Sequence, residues 1–218
     1  MILRLKFYYM KKIYLIIAAA VMFFAVEANA QIGLGIGYNM VHNVQKSLDE
    51  DNDGTLNGLY IEGTYDFDFL EENWGDLGIE PGLRFTFAGD KESEEVLGVT
   101  GKVSENEVYL DLPILVKYSY DLDIIKLSAY AGPVLSCGLS SVTKVKIGEN
   151  VTKTDYYGAD SVYGRFDVKL GVGLGITAKD DVQAKIGYYA GLLNRYTGNL
   201  PNYSLRTGVF YIGVGYSF

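Results

Sequence analysis

The last stretch of the sequence, Ser204–Phe218, reads SLRTGVFYIGVGYSF and decides the fold. Its large and small side chains alternate, which is the period of a β-strand, because successive side chains of a strand point to opposite faces. One face is apolar and aromatic, and the other carries glycine, serine and tyrosine instead of charges. This pairing favours a barrel strand in lipid, and the alternative is the last core strand of a soluble sheet. The apolar face carries Phe210, Ile212, Val214, Tyr216 and Phe218.

Seven further segments alternate in the same way, and the chain is rich in glycine (26) and tyrosine (19), so we predict an all-β fold. In the fifth segment Leu127, Ala129, Ala131 and Leu135 compete with Tyr130 and Val134 for the outer face, which leaves its register open. The seven segments cover residues 32–41, 59–69, 77–87, 108–120, 126–139, 165–177 and 182–193.

The connections between these segments alternate in length, and this asymmetry indicates how the strands are arranged. An even number of strands with short turns at one rim and long loops at the other is typical of outer-membrane barrels. We therefore predict an eight-stranded antiparallel up-and-down transmembrane β-barrel with short periplasmic turns and long extracellular loops. A soluble lipocalin-like binding barrel and a β-sandwich are the alternatives. The long connections cover residues 42–58, 88–107, 140–164 and 194–203.

Residues 1–30 read as a signal peptide, with Met10 as an alternative true start. Lys11 and Lys12 precede an apolar run that is shorter than the roughly 20 residues of a spanning helix. Ala28-Asn29-Ala30 follows the run and has the small residues of a signal-peptidase cleavage site. Residues 31–218 then form a single barrel domain. Without the leader's four basic residues and one acidic residue, the formal net charge changes from −8 to −11, which argues against nucleic acid as a partner.

The predicted interior and the predicted short-turn rim each collect one class of side chain. Eight strands enclose a lumen that side chains can fill, so we expect opposite charges inside to pair and plug it. Aromatic residues near the short-turn rim would form one membrane-interface girdle. The interior charges are Glu62, Asp66, Asp68, Glu80, Arg84, Asp111, Lys117, Asp167, Lys169 and Lys185, and the girdle is Tyr65, Phe67, Phe69, Trp74, Tyr118, Tyr120, Tyr216 and Phe218.

Catalytic and metal-binding patterns are weak in this sequence. His42 is the only histidine, and no serine or acid has a spacing that ties it to a catalytic triad. A lipid A-modifying outer-membrane enzyme that uses His42 remains the enzyme alternative to a barrel without activity. Asp49, Asp51 and Asp53 resemble the start of a calcium-binding loop, but Tyr60 stands where that loop needs a bidentate carboxylate. We predict no enzyme activity, no cofactor and no metal site.

Three stretches carry a resemblance to a known family: LGIEPGLRF at residues 77–85, YLDLPILVKY at 109–118 and YAGPVL at 130–135. They resemble the PorT-like outer-membrane β-barrel family, and YYAGL at 188–192 adds to the resemblance. The resemblance covers essentially all of the chain after the leader. It implies an integral eight-stranded barrel of the Gram-negative outer membrane, in a family whose named member is linked to protein secretion.

The resemblance and the pattern together define the partners that we expect. The apolar face would contact outer-membrane lipid and lipopolysaccharide. The five apolar residues that end in Phe218 resemble the C-terminal signal that the barrel-assembly machinery recognises. The expected role is structural or interaction-based in the cell envelope, including an accessory role in protein secretion with an envelope or secretion protein as partner.

Overall fold

The computed structural model describes residues 30–47, 51–96, 99–148, 150–158, 161–178, 181–200 and 202–218. The predicted leader lies outside this part of the chain except for its last residue, and so does Asp49. Nine β-strands occur in the described ranges. They are β1 (Ala30–Lys46), β2 (Asp51–Glu72), β3 (Gly75–Val96), β4 (Val99–Asp121), β5 (Ile125–Ile147), β6 (Asn150–Asp155), β7 (Phe166–Ala178), β8 (Val182–Gly191) and β9 (Ser204–Ser217).

Eight of these strands close into a ring. Each pairs with its neighbour in the chain, β1 pairs antiparallel with β9 from Gly33↔Ser217 to Lys46↔Ser204, and β5 pairs with both β4 and β7. The remaining strand, β6, pairs only with the far end of β5. The prediction of an all-β antiparallel ring is therefore confirmed, and β6 is an addition to it. No helix in the described residues is long and apolar enough to cross a membrane.

The pleat separates the two faces of the ring. Apolar residues such as Ile36, Leu174 and Ile212 lie exposed on the outside, whereas tyrosines and charged residues lie buried on the inside. The open register of the fifth predicted strand is now fixed. Tyr130 and Val134 are buried inside, so Leu127 and the residues in phase with it face outward.

The predicted boundaries of the long loops are wrong, because most of the residues assigned to these loops belong to β-strands. β1 and β2 together leave only residues 47–50 between them, and β3 and β4 leave only residues 97 and 98. The pairing runs on through residues such as Val103 and Val145, which are β-branched and favour extended backbone. The β5–β6 hairpin turns at Gly148, where φ is +60°, a conformation that glycine adopts without strain. One end of the barrel is thus extended by paired strands.

The other end of the barrel has tight turns. Gly75 follows the turn at residues 73 and 74 with φ +132°, a backbone conformation that requires glycine. Asp123 occupies a left-handed position in the turn at residues 122–124. The last residue, Phe218, donates its N–H to the carbonyl of Ile32 at 2.9 Å, which fixes both chain ends of the ring at this rim.

Candidate functional site

The middle of the barrel interior is occupied by Arg84, one of the largest fully buried side chains of the described residues. Arg84 on β3 stands opposite Glu62 on β2, and its Nε and Nη2 donate to Glu62 Oε2 at 2.9 and 2.6 Å. Its guanidinium carbon also lies 4.1, 4.8 and 3.9 Å from the ring centroids of Tyr60, Tyr189 and Tyr211. A cation among aromatic faces and beside a carboxylate is stabilised on both counts. This cluster fills the cross-section of the lumen.

Two lysines form ion pairs that join strands not adjacent in the ring. Lys185 on β8 donates to both oxygens of Glu80 on β3, at 2.6 and 2.8 Å. Lys169 on β7 donates to Asp111 Oδ1 on β4 at 3.1 Å. Both lysines also lie near tyrosine rings. Lys185 Nζ is 5.0 Å from the ring centroid of Tyr130, and Lys169 Nζ is 5.2 Å from that of Tyr109. The Lys185–Glu80 pair therefore joins opposite walls of the barrel, whereas the Lys169–Asp111 pair bridges across β5, the one strand between β7 and β4.

A third lysine cluster lies nearer the short-turn rim. Lys117 Nζ donates to Asp66, and Asp68 Oδ1 lies 3.1 Å away. Nine of the ten predicted interior charges thus take part in ion pairs. Asp167 is the exception: no described cation lies within ion-pair distance, and its Oδ1 accepts the N–H of Leu193 at 3.2 Å instead.

The glycines of β7 make room for these interior rings. A methyl group on Gly173 would lie 2.9 Å from Tyr211 Oη, and one on Gly175 would lie 2.9 Å from Tyr130 Cε2. Real side chains almost never approach so closely, so larger residues at these positions would push the tyrosines out of place. The GxGxG spacing at residues 171–175 reflects this packing in the lumen.

At the extended end of the barrel, Glu107 and Arg195 each organise several segments. Glu107 accepts hydrogen bonds from Asn43 Nδ2 at 3.2 Å, from Ser141 Oγ at 3.1 Å and from Tyr109 Oη. Three donors on three strands thereby converge on one carboxylate. Such charge-assisted bonds hold the strand ends in one arrangement.

Arg195 lies on the connection between β8 and β9 and is nevertheless buried. It donates to Thr207 Oγ1 at 2.5 Å, to Tyr109 Oη at 3.2 Å, to the carbonyl of Gly164 at 3.3 Å and to Tyr157 Oη. Burial raises the pKa of the Tyr157 hydroxyl. Arg195 is not among the site residues predicted from the sequence, where its only signal is a single positive charge in the connection between β8 and β9.

Four tyrosines pack together beside this network. The ring centroids of Tyr156 and Tyr163 are 5.3 Å apart, and those of Tyr196 and Tyr203 are 4.3 Å apart. The hydroxyls of Tyr163 and Tyr203 lie 3.3 Å apart, and Tyr203 donates to Gln45 Oε1 at 3.0 Å. The connections at this end are therefore tied to β1 by an aromatic cluster.

His42 lies on β1 rather than in a loop, at the same end. Its Nδ1 is 3.1 Å from Thr55 Oγ1, and its Nε2 is 3.9 Å from Asp53 Oδ2. Both side chains of the His42–Asp53 pair are more than a third exposed, and the described contacts bring no serine to the ring. The described residues contain no group of three or more acidic, histidine or cysteine side chains that could hold a metal ion.

Most of the proposed girdle aromatics lie exposed near the short-turn rim. Trp74 stacks on Tyr118 with 6.1 Å between ring centroids, and Tyr216 meets Phe218 edge to face at 5.0 Å. Tyr65 does not fit the predicted girdle, because its side chain is buried. The pairing of β2 with β3 is interrupted between Thr64↔Gly82 and Phe67↔Ile79. Tyr65 lies opposite Pro81 in this gap, and the proline nitrogen carries no hydrogen to donate. The register is the same on both sides of this position, so Tyr65 keeps its phase in the strand although its side chain is covered.

A family model for the outer membrane protein beta-barrel domain matches residues 24–197. The chain belongs to this family. Membership places the protein in the outer membrane of Gram-negative bacteria, where its strands cross the lipid. The comparison with curated protein sequences finds no match.

The chain is similar to several solved outer-membrane protein structures. Ail, the attachment invasion locus protein of Yersinia pestis, solved with the heparin analogue sucrose octasulfate, is 16% identical with a TM-score of 0.47, over 88% of this chain and 100% of Ail. Neisserial surface protein A is 15% identical with a TM-score of 0.38, over 85% and 97%. The outer membrane enzyme PagL is 11% identical with a TM-score of 0.38, over 83% and 98%.

Proposed function

We propose that this protein is a non-enzymatic transmembrane barrel with a plugged lumen, acting as a structural or interaction protein of the cell envelope. The arrangement of Arg84, Glu62 and the three tyrosine rings carries the proposal, because it fills the lumen at mid-height. The ion pairs of Lys185 and Lys169 add two further cross-links. Moving any of these groups aside for a solute would leave buried charges without partners.

The orientation follows from the two unlike ends. We place the tight turns and both ends of the ring in the periplasm and the extended hairpins outside the cell, as in other outer-membrane barrels. The hairpins are polar and end in exposed strand, so they offer an interaction surface beyond the lipid. Outer-membrane lipid and lipopolysaccharide would cover the apolar face.

The finer family assignment and the partners remain part of this proposal. The run YLDLPILVKY at residues 109–118 supports a PorT-like branch of the family. The stretch that ends in Phe218 would be recognised by the barrel-assembly machinery. An accessory role in protein secretion, with an envelope or secretion protein as partner, is consistent with such a branch.

A conductance measurement tests the plugged lumen. We expect the purified barrel in planar lipid bilayers to give no single-channel steps above the leak of the bilayer, because ion-paired side chains occupy the cross-section. A porin inserted under the same conditions is the control for incorporation. Regular steps from the wild-type barrel would show an open path and would overturn the plugged-lumen proposal.

A second test addresses the enzyme alternative. We expect His42→Ala to leave the lipid A of expressing cells unchanged in mass, compared with cells that carry the wild-type protein. The reason is that the His42–Asp53 contact is long, at 3.9 Å, and exposed to solvent, so this pair is poorly arranged to activate the neighbouring hydroxyl of Thr55. Lipid A that changes in mass with the wild type but not with His42→Ala would instead identify an enzyme.

A further inference from the structure

A cavity of about 90 Å³ opens at the extended end of the barrel. We call it the vestibule. At about 10–15 Å³ for each water position, it has room for roughly six to nine waters. Its walls come from β1, β2, β4, β5 and β9 and from the connections before β7 and after β8, so segments far apart in the chain meet around it. A space of this size fits a group comparable to one sugar ring.

The polar groups of the vestibule include both donors and acceptors with unused capacity. Glu105 accepts one hydrogen bond, from Thr143 Oγ1 at 3.3 Å, and a carboxylate can accept several more. Gln45 uses its Oε1 for Tyr203, and its amide N–H groups have no partner among the described residues. A ligand hydroxyl both donates and accepts, so it can satisfy an acid and an amide together.

Aromatic faces complete the lining. Tyr156 and Tyr163 are half-buried at the vestibule wall, with ring centroids 5.3 Å apart. Their π faces carry partial negative charge and attract the polarised C–H groups of a ring that is otherwise covered with hydroxyls. Apolar faces combined with a few convergent polar groups are typical of small-molecule sites.

The charge of the vestibule disfavours an anion. Arg195 is the one cation among the described lining residues, and its guanidinium already donates to the carbonyl of Gly164, to two tyrosine hydroxyls and to Thr207. Glu107 is likewise occupied by three donors. Arg195 and Glu107 therefore hold the walls of the vestibule in place, and Glu105 and Gln45 are the lining residues that can still form hydrogen bonds with a ligand. The site is thereby preorganised for an uncharged polar ligand.

We propose that the vestibule is a binding site for a neutral saccharide, with Tyr156 and Tyr163 as the stacking surface and with Glu105 and Gln45 as hydrogen-bonding partners of the sugar hydroxyls. The proposal extends the envelope interaction role and relies on the orientation given above only for placing the site outside the cell. Binding in detergent does not depend on orientation or on a plugged lumen, so either proposal can fail without the other.

The test uses the full mature barrel in a polyoxyethylene detergent, because glycosidic detergents would compete for the site. Lactose, cellobiose, chitobiose and mannobiose are the probes, measured by saturation-transfer NMR and by titration. We expect at least one of them to bind, Tyr156→Ala to weaken its affinity at least tenfold, and Tyr120→Ala to leave it unchanged. Tyr120 is the matched control because it is an exposed tyrosine at the opposite rim.

A blocking variant makes the test independent of losses in folding. A Cβ added at Gly54, which lines the vestibule, would meet nothing within 4 Å, so a larger side chain can start from this position without a backbone clash, and Gly54→Trp is the blocking variant. We expect this variant to abolish sugar binding while it keeps the compact, heat-modifiable band of a folded barrel. Binding that survives Gly54→Trp, or no binding by any probe, would overturn the proposal.

A cation is the rival ligand, and Glu105→Gln distinguishes the two. For a neutral sugar we expect only a few-fold loss, since glutamine still offers an acceptor and adds donors. Tetramethylammonium is the cation probe, and its binding would depend on the carboxylate charge and the tyrosine faces. If tetramethylammonium binds and the sugars do not, the vestibule is a cation site and the saccharide proposal is wrong.

Discussion

Arg84→Met is expected to lower the free energy of unfolding by about 3–5 kcal/mol, which is typical of breaking a buried ion pair by removing one partner. Glu62 would remain buried without its two hydrogen bonds from the guanidinium, since the exposed fractions of the Arg84 and Glu62 side chains are 2% and 8%. The three tyrosine rings would also lose the cation between them. The measurement is the urea midpoint of the barrel in lipid vesicles, followed by the heat-modifiable band.

Lys126→Met is the control for this substitution. Lys126 pairs with Asp76 at 3.3 Å near the short-turn rim, with exposed fractions of 26% and 21%, and partly exposed pairs contribute only about 0–1 kcal/mol. Combining Arg84→Met with Glu62→Gln should recover part of the loss, because no uncompensated charge then remains. An Arg84→Met barrel within about 1 kcal/mol of wild type would contradict the central role of this cluster.

The ring and the facing of its strands could be predicted from the sequence because the pleat is a local property. In β7 every second residue from Phe166 onward is apolar, and the intervening Asp167 and Lys169 are buried. The period alone separates inside from outside, whichever strand lies beside it. The same alternation holds in β9, where Phe210, Ile212 and Val214 are exposed on the outer face.

The partners across the lumen could not be predicted, since they depend on the stagger of the closed ring. Lys185 meets Glu80, which lies 105 residues away in the chain, and nothing near either residue specifies the other. Arg195 was missed for a related reason. It lies on a connection without periodicity, and its burial follows from its contacts with β4, with β9 and with the connection before β7.

The paired extensions beyond the predicted strands were missed because their alternation is weak. All six residues of β6 are exposed, so neither face must be apolar. The local signal that remains is the β-branched content around Val142, Val145 and Ile147, together with Gly148 at the turn. A segment with the polar composition of a loop can still form the hydrogen bonds of a strand where both of its faces are in water.

Val172→Arg is expected to destabilise the barrel by about 2–4 kcal/mol in lipid vesicles, whereas Val182→Arg should cost only about 0–1 kcal/mol, because charge on the lipid face is most costly at mid-bilayer. The two valines are a matched pair: both are exposed on the outer face, by 48% and 54%, but Val172 is near the middle of β7 and Val182 begins β8 at the short-turn rim. The urea midpoints of both variants provide the measurement. On a face covered by water, both substitutions would fall within about 0.5 kcal/mol of wild type, as surface changes usually do. Equal and small effects would therefore mean that lipid does not cover this face, whereas a depth-dependent difference requires hydrocarbon at Val172.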